Sequence, residues 1–412
     1  MNKLTNLIEQ LCPNGVEFKP LGEIATISRG GSFQKKDFVD SGVPCIHYGQ
    51  IYTRYGLFAH ETLSFISNDV AKKQRYAQPN DIVMAVTSEN IEDVCKCVAW
   101  LGDTSVAVSG HSAIIHHTQN AKYLAYYFHS SMFFSQKRKL AQGTKVIEVS
   151  PDKLNRIIIP IPPLEVQAEI VRILDAFTEL TTELTTELTD RKKQYEYYRD
   201  KLLSYDDTIR LEELGVVAKV TKLAGFEFTK YVQYSDTGRV IALRGLNVKD
   251  GKLILDDVKY IDNSDLSKLD RSKLRVGDML FTYVGTVGQV ALIDENDKYY
   301  LAPNVAMIRI EDERLLPKYL MYYFQSSIFK EKQINRLLQS SSMKNIPMEK
   351  IRKFLVPIPS IQTQQRIIAV LDNFEAICSD LNTGLPAEIE ARQKQYEYYR
   401  DLLLSFNKKR RE

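Results

Sequence analysis

Cysteine is scarce and odd in number. The five residues, Cys12, Cys45, Cys95, Cys97 and Cys378, have no framework spacing, which argues against a disulfide scaffold and for a reducing cytoplasm. Long apolar runs are missing too. No eighteen consecutive apolar residues occur, so no membrane span and no membrane partner is expected. The opening MNKLTNLIEQLCPNG is amphipathic and lacks the apolar core of a secretory signal. An excess of one charge is also absent: 55 Lys and Arg face 52 Asp and Glu, a net +3. If the chain binds nucleic acid, positive charge must be placed locally.

The signatures of chemistry are missing as well. No two glycines lie two apart and none lie five apart, which excludes G-x-G-x-x-G and the P-loop. There is no H-E-x-x-H, no G-x-S-x-G, and no Asn-Pro-Pro or Asp-Pro-Pro of the kind an adenine methyltransferase uses. Cys95-x-Cys97 with His116-His117 has poor zinc spacing, and the second half of the chain holds no histidine. Buried structural residues are the better reading. Neither a catalytic nor a metal site is expected, and no cofactor of the chain's own.

What is present is one unit written twice. Pro160-Ile161-Pro162 returns as Pro357-Ile358-Pro359, and Leu174-Asp175 as Leu371-Asp372, both offset by 197. QYEYYRD at 194–200 returns unchanged at 395–401, now offset by 201. The second copy therefore carries four extra residues in its helical part. Four residues are about one turn, roughly 6 Å of rise, and keep a helix near phase. From Leu164 to Tyr205 no Gly or Pro intervenes, and apolar residues recur mostly three and four apart. The pattern predicts a helix of about 42 residues, roughly 63 Å long. Thr-Thr-Glu-Leu at 181–184 and 185–188 reads as a spacer counted in turns. The second copy should kink or break at Gly384-Leu385-Pro386. Helices this long outrun a compact domain and are expected to pair antiparallel. Tyr195 and Tyr198 should then pack inside the pair and Tyr197 face outward.

The remaining segments also match. Pro79 to Met84 corresponds to Val276 to Phe281, each a turn followed by a strand. Strands are also expected at Val43 to Tyr48, Val94 to Trp100, Ser105 to Val108, Gln289 to Ile293 and Val305 to Ile310. Tyr123 to Phe128 and Tyr319 to Phe324 read as closing helices. Ser150-Pro151 reads as an N-cap and first-turn proline. Each unit is thus an α/β globule with a long helix attached. Two like modules on a rod suit a target with two short sites a set distance apart, and duplex DNA is the obvious one.

The doubled Pro-Ile-Pro, the Thr-Thr-Glu-Leu turns, RKKQYEYYRDKLLS and GLPAEIEARQKQYEYYRD together resemble the specificity (S) subunit of type I restriction-modification enzymes, over the whole chain. The resemblance implies an α/β (α+β) tandem repeat: two globular target-recognition domains separated by two long antiparallel coiled-coil-like helices, with pseudo-twofold symmetry. Its domain map is 1–150 for the first target-recognition domain and 151–205 for a central conserved helical region. Residues 206–347 follow as the second recognition domain and 348–412 as a distal conserved helical region. It implies a non-catalytic subunit that reads a split, asymmetric site on double-stranded DNA. Partners would be two methyltransferase (M) subunits and restriction (R) subunits, with S-adenosylmethionine, ATP and Mg on those subunits. The location would be bacterial or archaeal cytoplasm, at the nucleoid. The alternative is a non-catalytic scaffold that binds proteins through the paired helices.

Candidate DNA contacts are the polar and basic loop residues. In the first half they are Arg29, Gln34, Lys35, Lys36, Tyr48, Gln50, Tyr52, Arg54, Thr87, Ser88 and Lys145. In the second they are Arg244, Asn247, Lys249, Tyr283, Thr286, Ser341, Ser342 and Lys344. Arg, Asn and Gln pair bidentately with base edges, whereas Lys and Ser more often hold phosphate.

Overall fold

The structure is a computed structural model that describes residues 2–206, 208–223, 225–338, 345–379 and 384–409. The chain divides into two compact units, Met1–Thr185 with Glu388–Glu412, and Thr186–Ala387. Each holds one α/β lobe, and long helices join the lobes.

The first unit opens with α1 (Asn2–Leu11). Its main sheet contains β1 (Ala25–Arg29), β2 (Ile82–Ala85), β3 (Cys97–Trp100) and β4 (Ser112–His117), in the order β1-β4-β2-β3 and all antiparallel. Phe58–Ala59 adds a short parallel edge to β3. Side chains alternate across the sheet, as the strand period requires. Ile82 and Met84 join the core under the helices, while Val83 and Ala85 join a second core with Val106 and Val108. A second five-stranded sheet supplies that other face. Its strand Val43–Ile46 is shorter than the sequence predicts, because His47 caps a short helix, α2 (Tyr48–Thr53), in place of extending the strand. The lobe closes with α3 (Ala121–Phe128), whose N-cap is Asn120, its side chain accepting from Tyr123 N. Ser150 sits at an N-cap position before Pro151, but its side chain makes no capping bond.

Helix α4 (Leu164–Leu202) is continuous for 39 residues, about 58 Å. Its mid-section lies in water, and pairs such as Glu187–Arg191 at i,i+4 support it. In the second unit β5 (Ala218–Lys222), β6 (Met279–Thr282), β7 (Val290–Leu292) and β8 (Val305–Ile310) repeat the first sheet as β5-β8-β6-β7. α5 (Pro317–Gln325) closes the lobe as α3 does in the first. The second long helix is in two described pieces, α6 (Ile361–Ser379) and α7 (Leu385–Leu403), divided where Gly384 and Pro386 predict a break.

The repeated motifs are explained by one bonding frame made twice. The Gln167 amide donates to Pro162 O at 2.8 Å and accepts from Asn120 N. Gln364 does the same with Pro359 O and Leu316 N. Asp175 receives Lys122 Nζ at 2.8 Å and the Tyr126 hydroxyl at 2.7 Å. Asp372 receives Lys318 Nζ at 2.8 Å and the Tyr322 hydroxyl at 2.5 Å. The doubled Pro-Ile-Pro and Leu-Asp pairs are therefore the seams between lobe and helix.

QYEYYRD is a second seam. In the first unit Tyr396 packs beside Tyr126, Tyr399 stacks on Phe177 at 5.4 Å, and Asp401 accepts from Ser131 N at 3.2 Å. In the second Tyr195 and Tyr198 pack on Phe374, and Asp200 accepts from Ser327 N at 3.0 Å. Arg199 and Arg400 lie over Tyr195 and Tyr396. Each stacked ring pair is worth on the order of 1 kcal/mol beyond burial. Each lobe thus takes the helix end that the other copy supplies. Tyr197 and Tyr398 are 61% and 65% exposed, as the spacing of the tyrosines predicts.

Candidate nucleic-acid interface

In the first lobe the loops at one end of the sheets converge on α2. His47 precedes it, with Nδ1 accepting from Gly49 N at 3.1 Å. Its ring lies 4.5 Å from that of Tyr48 and edge-on to Phe38. Burial, then the charges of Lys35 and His111, lower the His47 pKa to about 4, so it is neutral at pH 7. Tyr48 also packs on His111, and its backbone N donates to Ser109 Oγ at 2.8 Å. The Tyr52 hydroxyl donates to Thr87 O at 2.6 Å, and Thr87 Oγ1 bonds His111 Nδ1 at 3.2 Å. Thr87 and Ser88 pair with Glu148 and Ile147, which brings the loop bearing Lys145 alongside. Arg29 reaches the same place, donating to Glu148 Oε1 at 2.5 Å and to Gly110 O at 3.1 Å.

The structure therefore draws Arg29, Tyr48, Tyr52, Thr87 and Ser88 into one neighbourhood. Lys35 lies beside Gly49 there. Gln34, Lys35, Lys36, Arg54 and Lys145 are exposed. Gln50 differs from the expectation: its Oε1 accepts from His47 N at 3.2 Å and its Nε2 donates to Ser64 Oγ at 2.7 Å, so its amide holds the turn. Thr87 is buried.

The second lobe builds the same turn with other residues. Arg244 stands where His47 stands, and Asn247 where Gln50 stands, each 197 residues on. Asn247 is 0% exposed. Its Oδ1 accepts from Arg244 N at 3.0 Å, and its Nδ2 donates to Ile254 O and Asp257 O, both at 2.8 Å. With its amide fully engaged away from solvent, Asn247 positions the turn and presents nothing to a base. Arg244 Nη2 donates to Asp257 O at 2.8 Å and to Asp257 Oδ1 at 2.9 Å. Arg244 lines a cavity of about 450 Å³ together with Phe228, Tyr234, Leu246, Thr286 and Asn304, and its Nε is buried. Lys249 and Thr286 are exposed, whereas Tyr283 is buried on the wall of a second hollow with Lys222 and Arg352. Ser341, Ser342 and Lys344 lie outside the described residues.

Sequence reasoning missed His47, Ser109, His111 and Glu148 in the first lobe, and Phe228, Tyr234, Asp257 and Asn304 in the second. The offset of 197 was the available signal for His47, since it aligns that residue with Arg244. Among the described residues no group of three or more His, Cys, Asp or Glu is placed to hold a metal ion, and no helix is long and apolar enough to cross a membrane.

A family model described as the type I restriction modification DNA specificity domain matches twice, at residues 13–191 and 207–391. A putative type I restriction enzyme specificity subunit of Haemophilus influenzae is 30% identical over 98% of this chain and 100% of its own length. The specificity subunit of the Escherichia coli type I enzyme EcoR124I/EcoR124II is 35% identical over 61% of this chain and 64% of its own. A solved chain from work on complex assembly and conformational transition of the type I system has a TM-score of 0.66 at 16% identity. It covers 95% of this chain and 97% of that one, a likeness of fold.

Proposed function

We infer how this chain works from one premise: it belongs to the DNA specificity subunits of type I restriction-modification systems, whose specificity domain it carries twice. It is a sequence-specific DNA-binding subunit and a non-catalytic one. Each lobe reads one half of a split, asymmetric site on double-stranded DNA. Two methyltransferase subunits and the restriction subunits then carry out adenine methylation and cleavage at the address so given, with S-adenosylmethionine, ATP and Mg held by those partners. Residues 1–150 and 206–347 are the recognition domains, and 151–205 and 348–412 the helical regions that join them and hold partners.

One observation carries this reading. The bonding frame is the same in both lobes, while the residues on the turn after the first inner strand differ in size, charge and donor pattern. A constant frame with variable faces is what two readers of different half-sites need. In the first lobe Gln34, Lys35, Lys36, Tyr48, Arg54, Ser88 and Lys145 offer donors to DNA, with Arg29 and Tyr52 fixing the loops behind them. In the second Arg244, Lys249 and Thr286 do so, joined by Ser341, Ser342 and Lys344. Lysines among them hold phosphate and set register.

Exchanging residues 21–145 for those of a relative tests the reading. Methylated-adenine mapping in cells carrying the whole system should show one half-site changed and the other kept. If both change, the lobes are not independent readers. Deleting Thr181 to Leu184 removes about 6 Å of helical rise. Both half-sites should then persist with a gap shorter by roughly one or two base pairs, and altered half-sites across an unchanged gap would refute the spacer.

A further inference from the structure

We propose that Asn304 reads an adenine in the second half-site. The inference rests on the second lobe being a DNA reader. An asparagine specifies adenine when its amide oxygen and nitrogen are both free to pair with N6 and N7 in the major groove. Asn304 is exposed, and its amide makes no hydrogen bond among the described residues. Its backbone is held from both sides. Ala302 N donates to Leu243 O at 3.1 Å, Val305 pairs in register with Thr282, and Tyr283 N donates to the Asn304 carbonyl at 3.4 Å. Asn304 itself has a φ of 70°, a left-handed conformation that Asn, Asp and Gly adopt and most residues avoid. It lines the cavity of about 450 Å³ with Arg244, Leu246 and Thr286. Asp257 meets the charge of Arg244 there at 2.9 Å, so the cavity suits the uncharged edge of a base better than a phosphate.

The first lobe explains why this amide is free. Strands β4 and β8 match at an offset of 193, since Ile114 pairs with Val83 and Met307 with Leu280. His111 therefore stands where Asn304 stands. Its Nδ1 bonds Thr87 Oγ1 at 3.2 Å, and its ring packs on Tyr48. Thr87 is matched by Val284, because Thr87 pairs with Glu148 as Val284 does with Asn345. Tyr48 is matched by Gly245, next to Arg244. Valine has no hydroxyl and glycine no ring, so the second lobe removes both groups that occupy His111 in the first.

The test maps methylated sites in cells carrying the whole system with Asn304→Gly or Asn304→Asp, both of which suit a left-handed φ. Asn304→Gly removes the amide. It should relax one adenine position of the second half-site, other than the methylated one, by about tenfold and leave the first half-site unchanged. Asn304→Asp keeps the shape but puts an acceptor where the donor was. It should lose the same adenine preference and move that position toward cytosine, whose N4 donates to a carboxylate. Unchanged preference in variants that melt like their parent would overturn the proposal, as would relaxation at a position that is not adenine. So would a loss spread evenly over all sequences, the mark of a phosphate contact. If Asn304→Gly fails to fold, Asn304→Asp carries the test, and retained adenine preference in it counts against the proposal. Replacing residues 206–347 as a block separates the two readings. If that leaves the second half-site unchanged, the lobe is no reader; if it changes the half-site while neither Asn304 variant does, Asn304 alone was misassigned.

Discussion

Where the first lobe places a buried neutral histidine, the second places an arginine locked to an aspartate. The same substitution of character recurs under the sheets. Asp81 is buried in the first lobe and pairs with His116 at 2.7 Å, while Asp278 is buried in the second and pairs with Arg309 at 2.6 Å and 2.7 Å. Both carboxylates also accept a backbone bond at 2.8 Å, from Gln78 N and Arg275 N. All six histidines of the chain lie in the first lobe. One frame has thus been furnished with titratable partners on one side and permanent charges on the other. The difference teaches that a duplicated scaffold fixes where a charged group sits but leaves its kind free.

The largest way to break the resemblance between the lobes is acid. Burial lowers the pKa of His47, His117 and His129 from 6.5 to about 4 in each case. Neighbouring cations and histidines push the same way: Lys35 and His111 at His47, His116 at His117, and Arg400, Lys137 and Lys96 at His129. A histidine whose folded pKa lies below its unfolded value stabilises the fold while it is neutral. That contribution is intact above pH 6.5 and falls away as pH drops toward 4, because the unfolded chain then binds more protons. At pH 5.5 each costs on the order of 1 kcal/mol, so the three together cost roughly 3 kcal/mol. Trp100 is the one tryptophan in the sequence and is buried in the first lobe, so its fluorescence follows that lobe alone. Its denaturation midpoint should fall between pH 7 and 5 well before hydrogen exchange loosens β6 and β8 of the second lobe. Equal acid sensitivity in both would show that the buried histidines do not govern it.

Much of this frame was legible in the sequence, and the reasons are physical. Repeats at a fixed offset located both lobes, and the heptapeptide marked a contact that three of its side chains make in each copy. An uninterrupted helical pattern located α4, because only Gly or Pro would have broken it. The candidate contacts were less legible. Asn247 and Gln50 are polar loop residues by type, yet both turn inward, because the folded turn brings partners three to fourteen residues away against their amides. For Asn247 those are the carbonyls of Ile254 and Asp257. The second sheet of the first lobe escaped notice because strands such as Phe38–Val39 and Ser64–Ile66 are too short to show an alternation. His47 escaped for a related reason, since a residue can cap a helix only where the strand before it stops.

A smaller and sharper comparison lies in the matched carboxylates. Asp278→Asn removes the charge that faces Arg309 from a buried site and should cost about 3 kcal/mol, nearly all of it in the second lobe. Asp81→Asn should cost less at pH 7, because its partner His116 is largely exposed and carries full charge only when protonated. Burial already raises the Asp81 pKa, the sign of a carboxylate whose charge is poorly compensated. His116→Arg would give the first lobe the pair that the second already has. It should stabilise the first lobe by less than about 1 kcal/mol, since one member of the pair stays in contact with water. Tryptophan-monitored denaturation of both proteins, each with and without Asp81→Asn, measures it. A gain that survives Asp81→Asn would mean that packing by the longer arginine side chain, and not charge on Asp81, distinguishes the two lobes at this site.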